Sequence, residues 1–219
     1  MTVVLKLGGR VAVSAVQAAL ARLDGDVVVV HGAGPQITAE LEARGIAPVF
    51  VAGRRVTTGP VLEVVRASLD AVNAEVCAAI GPRAVSLRGE EIGLLAWRVD
   101  ELGFVGEPEP SAPAAVLEAL AAGRIPVVTP LAAGPLNVNA DEAAAALAVG
   151  LGAERLLFVS DVPGVLLDGA VASVLPADDA EAGLAAGRFE GGIVPKLMAA
   201  VRAARGGVRA TIGTTEMPA

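Results

Sequence analysis

The chain has 219 residues, 54% of them hydrophobic and 19% charged, which excludes a disordered protein and gives enough apolar surface for a full core in a single domain. Its net charge of −7, with no run of lysine or arginine, leaves no basic face for nucleic acid. No uncharged apolar run approaches the roughly 18 residues of a membrane span, and Lys6, Gly8 and Gly9 interrupt the first apolar stretch too early for a signal peptide. With one unpaired cysteine, Cys77, the expected location is the cytoplasm and no membrane contact is expected.

Residues 3–7 read as a short apolar strand ending in Gly-Gly, and 13–23 as a helix. Residues 27–30 are four valines, a strand buried on both faces. Residues 35–44 follow as a helix with proline in its first turn, where the missing N–H costs nothing. Gly59–Ile80 is the longest helical pattern, and residues 84–87 read as a strand. Residues 92–105 alternate and carry glycines in the manner of an antiparallel hairpin. Residues 111–122 read as an alanine-rich helix capped by Ser111, followed by the strand Ile125–Thr129. The remainder reads as helix (141–151), strand (156–160), two helices (178–186 and 196–205) and the strand Arg209–Ile212. This alternation predicts an α/β fold, a three-layer αβα sandwich around a mostly parallel central sheet. A proline-rich hinge at residues 107–113 would divide two lobes.

In open α/β sheets ligands sit at the carboxyl ends of the strands, and four such ends here carry unusual residues. The first is Lys6-Leu7-Gly8-Gly9, where glycines let the backbone approach an anion and the lysine adds a charge; a lone lysine before a turn is the plainer reading. The second, His31-Gly32-Ala33-Gly34-Pro35, opens a helix whose N-terminus suits an anion, with His31 itself read as structural. It lacks the third glycine and the acidic residue of a dinucleotide fingerprint, which disfavours an oxidoreductase. The third, Asn137-Val138-Asn139-Ala140-Asp141, loads one turn with short polar groups, of which a helix cap explains only one. The fourth, Ser160-Asp161-Val162-Pro163-Gly164, is paired with Gly191-Gly192 and Lys196, a lysine near a helix start where only an anion compensates it. No P-loop and no G-x-S-x-G is present, and one His and one Cys exclude most zinc and cysteine–histidine chemistry. Two lysines among glycine-rich loops fit phosphoryl transfer, in which positioning and charge neutralisation supply most of the catalysis.

The segments VVLKLGG (3–9), VVVVHGAGPQ (27–36), AGRRVTT (52–58), ELGFVGEPEP (101–110), NVNADEAAAALA (137–148), LLFVSDVPGVL (156–166) and GGIVPKLMAAVRAA (191–204) together resemble the amino-acid kinase family. NVNAD and GRRVT resemble, within it, the branch that phosphorylates the side-chain carboxylate of N-acetyl-L-glutamate in arginine biosynthesis. The resemblance implies the amino-acid kinase fold, with a substrate-binding and dimerisation lobe (about 1–135) and a nucleotide-binding lobe (about 136–219). It implies catalysis by Lys6 and Lys196, which would flank the transferring phosphoryl group, with Asp141 holding both lysines. Gly8, Gly9, Ala33 and Gly34 would supply backbone N–H groups around the reacting oxygens. Arg55 would grip the substrate's α-carboxylate, Asn137 would bind the substrate, and Asn139 would lie beside its acetamido end. ATP would be lined by Gly8, Gly9, Asp161, Val162, Pro163, Gly164, Val165, Leu166, Arg188, Phe189, Glu190, Gly191 and Gly192. Mg2+ would be held by the nucleotide phosphates, with no metal site on the protein.

Two departures qualify these expectations. Ala33 replaces a glycine, and its methyl would narrow the substrate pocket. The tail after residue 212 is shorter than the family's, which would leave the nucleotide half with fewer strands. The absence of an N-terminal helix would mark a short, arginine-insensitive type. A homodimer is expected, because Val61, Leu62, Val64, Val65, Leu69, Val72 and Val76 exceed what one packed helix face needs. The alternatives are a kinase of an N-blocked 2-aminoadipate on a carrier protein, which wants a basic surface, and an inactive nucleotide-binding member, which the joint presence of Lys6, Asp141 and Lys196 argues against.

Overall fold

A computed structural model describes residues 1–9 and 13–219. From the N-terminus, β1 (Thr2–Leu7) is followed by α1 (Val13–Leu20), β2 (Asp26–His31) and α2 (Gly34–Ala43). A small hairpin, β3 (Phe50–Val51) and β4 (Arg54–Arg55), precedes the long α3 (Gly59–Ile80). Next come β5 (Ala84–Arg88), β6 (Ala96–Arg98), β7 (Val105–Pro108), α4 (Ala114–Ala121) and β8 (Ile125–Thr129). Then β9 (Leu131–Ala132) and β10 (Leu136–Val138) lead into α5 (Ala140–Gly150) and β11 (Arg155–Val159). The chain closes with β12 (Leu166–Leu167), β13 (Ala170–Val171), α6 (Ala177–Ala185), α7 (Ile193–Arg205), β14 (Arg209–Ile212) and β15 (Thr215–Met217).

Seven strands form the central sheet in the order β15-β14-β11-β1-β2-β8-β5, parallel except for β15. The chain leaves β1 toward β2 on one side and returns to its other side with β11, so β1 is the point where the strand order reverses. In such sheets the crevice opens there, at the carboxyl ends. Strand side chains alternate between faces, and the core clusters follow this period. Val4, Val28, Val30, Leu156 and Phe158 pack with α4, α5, α6 and α7. Leu5, Leu7, Val27 and Val29 face the opposite layer, with Val16 of α1 and Val76 of α3. The three-layer expectation therefore holds, and the two expected lobes share one sheet, joined along the β1–β11 register from Val3–Arg155 to Leu7–Val159.

Three readings of the sequence change. Ser111 does not cap α4: Pro113 is the N-cap, without a side-chain bond, and the Ser111 hydroxyl is buried without a hydrogen-bond partner. The short C-terminal tail, not read as a strand, adds one to the sheet. β15 pairs antiparallel with β14, and Thr215 and Met217 are buried. The apolar surplus of α3 is used inside the protomer. Val61, Leu62, Val64, Val65, Leu69 and Val76 are all buried in the chain's own core, so this helix no longer argues for a second contact.

Candidate active site

Alternation along β1 turns Lys6 to the same face as Val4, toward α5. There the first turn of α5 presents Asp141, because Asn139 caps the helix: its Oδ1 accepts from the N–H groups of Asp141 (2.8 Å) and Glu142 (3.3 Å). Lys6 Nζ lies 2.5 Å from Asp141 Oδ1, and Lys196 Nζ lies 3.6 Å from Asp141 Oδ2. One carboxylate thus holds two ammonium groups from opposite ends of the chain. Burial, together with the charge of Lys196, holds the Lys6 ammonium below its ordinary range, although Asp141 pulls the other way. Lys196 sits in the first turn of α7, where its charge opposes the helix dipole and Asp141 supplies the compensation.

Two adjoining depressions meet at this cluster. One is lined by Lys6, Gly9, Ala33, Gly34, Arg55, Asn137, Asn139 and Asp141, among others. The second shares Lys6, Gly9, Gly34 and Arg55 and continues past Gly8, Ser160, Asp161, Gly192 and Lys196. Gly9 is required where the two loops meet, since a Cβ there would lie 2.8 Å from the Pro35 ring and 3.2 Å from the Gly34 nitrogen. The Gly8 N–H, expected to face an anion, instead donates to the Val159 carbonyl at 2.9 Å and continues the β1–β11 ladder. Ala33 is buried in the wall of the first depression.

Arg55 is 8% exposed. Its Nη2 donates to Thr38 Oγ1 (2.9 Å) and the Gly34 carbonyl (3.3 Å), its guanidinium stacks 4.5 Å over the Phe50 ring, and its Nη1 is buried without a partner. Burial lowers its pKa from the ordinary value. No carboxylate among the described residues pairs with it within 4 Å, so a buried, half-satisfied guanidinium faces the depression. Asn137 Nδ2 donates to Thr57 Oγ1 at 3.0 Å, which fixes the amide in the same wall.

His31 stands on the other face of β2, toward α3. Asn73 Nδ2 donates to its Nε2 (3.1 Å) and to the Val127 carbonyl (3.0 Å). Burial pushes the imidazole down to about 4, so it is neutral at pH 7 and structural, as its sequence position suggested.

The residues expected around the nucleotide are only partly brought together. Asp161 joins Lys196 and Gly192 in the second depression, while Phe189, Glu190, Gly191 and Gly192 line a separate groove with Arg54, Glu142 and Met198. Val165 is buried, its N–H donating to Thr215 Oγ1 at 2.8 Å, and Leu166 is 58% exposed on the β12–β13 hairpin. Val162 is partly buried against the main core, and Pro163 accepts from Thr214 through its carbonyl (2.9 Å from the backbone N–H). Gly164 lies where a Cβ would meet Val171 and Thr215, so the hairpin closes tightly over it. The Phe189 ring packs on Gly183, and Arg188 is exposed. Arg54 and Glu142 escaped the sequence reading. The signal was an Arg-Arg doublet and a buried Asp-Glu doublet opening an otherwise alanine-rich helix.

Residues 1–214 match the profile of the Amino acid kinase family. The chain belongs to that family. It is 43% identical to the acetylglutamate kinase of Saccharopolyspora erythraea over 239 aligned residues, covering 94% of this chain and 77% of that one. Among solved structures it superposes on smu.665 from Streptococcus mutans with a TM-score of 0.86 at 25% identity, covering 99% and 98% of the two chains. It superposes on a carbamate kinase of Giardia with a TM-score of 0.72 at 16% identity, covering 99% and 98%, which supports the fold alone. Acetylglutamate kinases match the chain at 35–45% identity over 83–96% of its length, which makes it an enzyme of this family that uses ATP. No described helix is long and apolar enough to cross a membrane.

Proposed function

We infer that the chain catalyses ATP-dependent phosphorylation of the side-chain carboxylate of N-acetyl-L-glutamate, giving N-acetyl-L-glutamyl 5-phosphate, a step of arginine biosynthesis. The observation that carries this reading is the juxtaposition of Lys6 and Lys196 on one Asp141 with a depression walled by the partly unsatisfied Arg55.

The acceptor carboxylate is ionised at pH 7, so no general base is needed. Its oxygen forms the new bond to the γ-phosphorus as the bond to ADP breaks, and negative charge spreads over the equatorial oxygens. Lys6 and Lys196 neutralise that charge from two sides, in a site where burial makes each interaction stronger than in water. Asp141 keeps the ammonium groups apart and oriented. Arg55, whose Nη1 has no partner, takes the α-carboxylate, with Asn137 and Asn139 beside it; because the Asn139 oxygen is committed to the cap, only its remaining donor capacity is left for the acetamido group. Asp141 already faces two ammonium groups, so Mg2+ would be held by the nucleotide phosphates, where it would supply further charge neutralisation. Asp161, the β12–β13 hairpin and residues 188–192 would flank the nucleotide. Residues 1–135 and 136–219 are taken as the substrate and nucleotide lobes. A homodimer rests on the family resemblance alone, and light scattering would separate it from a 21.7 kDa monomer. A cytoplasmic location is proposed on the same footing.

The test is a coupled ADP-release assay over N-acetylglutamate, glutamate, aspartate and N-acetyl-aminoadipate. N-acetylglutamate is expected to give the highest kcat/KM. A higher value for any of the other three would overturn the reading.

A further inference from the structure

Arg54 also lines the first depression, yet none of the roles above uses it, and it is the best-connected side chain of its hairpin. β3 and β4 are two residues each, and the turn between them has left-handed backbone at Ala52 (φ 48°) and Gly53 (φ 78°), the signature of a tight two-residue hairpin. So short an element is not rigid by itself. Yet it carries Arg55, whose position decides what the depression can hold.

Arg54 leaves the strand on the side opposite Arg55 and reaches α5. Its Nε and Nη2 meet the Glu142 carboxylate at 3.2 and 3.1 Å, and its Nη1 lies 3.4 Å from Glu107 Oε2 on β7. Glu142 is 8% exposed and immediately follows Asp141. Three elements that are distant in sequence therefore meet on one guanidinium. With two carboxylates on it, Arg54 has no charge to offer a substrate carboxylate, in contrast to Arg55 next door.

We propose that the Arg54–Glu142 pair is a latch that fixes the β3–β4 hairpin against the first turn of α5 and so sets the distance between Arg55 and Asp141. Arg54 is a positioning residue, and the proposal builds on the N-acetylglutamate reading only in naming which ligand feels the latch. A bidentate pair suits the task, because two parallel bonds fix orientation as well as distance. Glu142 is also costly to leave alone, since a buried carboxylate without its partner is destabilising. For that reason the informative variants are Glu142→Gln, which keeps the shape and one acceptor oxygen, and Arg54→Lys, which keeps the charge but loses the fork.

Amide hydrogen exchange of the ligand-free protein tests the latch without any assumption about substrate. In Glu142→Gln the amides of residues 49–56 should exchange about tenfold faster, with the central sheet unchanged, and Arg54→Lys should fall between it and the parent. Calorimetry then tests positioning: the Kd for N-acetylglutamate should rise about tenfold and that for ATP by less than about twofold. Unchanged exchange at 49–56, or equal acceleration throughout the sheet, overturns the latch. Faster exchange with an unchanged N-acetylglutamate Kd overturns the link to Arg55. If the parent protein binds no N-acetylglutamate, the functional reading falls, and the exchange result still decides the latch.

Discussion

Lys6, Arg55 and Asp141 are each less than a tenth exposed, whereas Asp161, Leu166, Arg188 and Glu190 lie open to solvent. Lys6 is set by the central sheet and Asp141 by α5, whose first eight residues after Ala140 are all buried, while Arg55, on a two-residue strand, is tied to α2 through Gly34 and Thr38. In the second group Asp161 lies in the loop after β11, Leu166 on a two-residue strand, and Arg188 and Glu190 in the loop before α7. The side proposed for the substrate is thus organised before any ligand arrives, and its charges act where water screens them little. The side proposed for the nucleotide would offer backbone and apolar surface that a ligand must still gather, so part of its binding energy would go into ordering.

Removing a charge from the shared centre should have the largest effect. Lys6→Ala and Lys196→Ala are each expected to cut kcat by about a thousandfold, as loss of a preorganised transition-state contact does. Single-turnover measurements would show it, and near-parental turnover in either variant would remove that lysine from the chemistry. The next prediction tests by pH the buried layer on the opposite face of the sheet, between β2 and α3. The folded His31 imidazole titrates at about 4 and the unfolded one near 6.5, so between these values the unfolded chain binds more protons. Stability should therefore fall as pH drops through that window, by roughly 3 kcal/mol in total, and the fall should be smaller in His31→Asn. Thermal melts of both proteins at pH 7 and pH 4.5 measure the difference; identical losses would clear His31 of responsibility.

Arg55→Lys sharpens the comparison further. Lysine cannot reproduce the fork, so N-acetylglutamate affinity should drop by about tenfold or more while ATP affinity holds. Equal losses for both ligands by calorimetry would erase the distinction between the two sides. The smallest effect is expected at Thr215→Val, which strips the Val165 N–H of its 2.8 Å partner at a cost of about 1 kcal/mol. It should raise the KM for ATP a few-fold and leave that for N-acetylglutamate alone. A change confined to N-acetylglutamate would place Thr215 on the wrong side.

The inner strands β2, β8 and β11 were legible because they are nearly unbroken apolar runs, β2 being four valines between Asp26 and His31, whereas the edge strand β15, Thr-Glu-Met, was not read as a strand. The bounds of α3 were read to the residue, but its apolar content was misjudged as surplus, since a sequence does not reveal that α2 and β8 also lean on this helix. The hairpins β3–β4 and β12–β13 were missed because two-residue strands with exposed Phe50, Val51 and Leu166 have no period to detect. Motif reasoning brought Lys6, Asp141 and Lys196 forward, and their distances now join them. It also assigned the Gly8 N–H to an anion, although strand pairing, which no motif encodes, had claimed it. The Arg54–Glu142 contact is invisible in one dimension because it links residues that only the packing of α5 beside the hairpin makes neighbours.

The central place of β1 has a consequence for how the protein is made. Lys6 lies beside Val30 on one side and Phe158 on the other, so one edge of the first strand is covered early and the other very late. Translation at about 5–20 residues per second leaves the Val3–Val4–Leu5 edge unpaired for roughly ten seconds or more. Contacts so distant in sequence also close slowly after release. The strand that carries Lys6 is therefore one whose second edge a growing chain leaves open to the wrong partners until β11 is made.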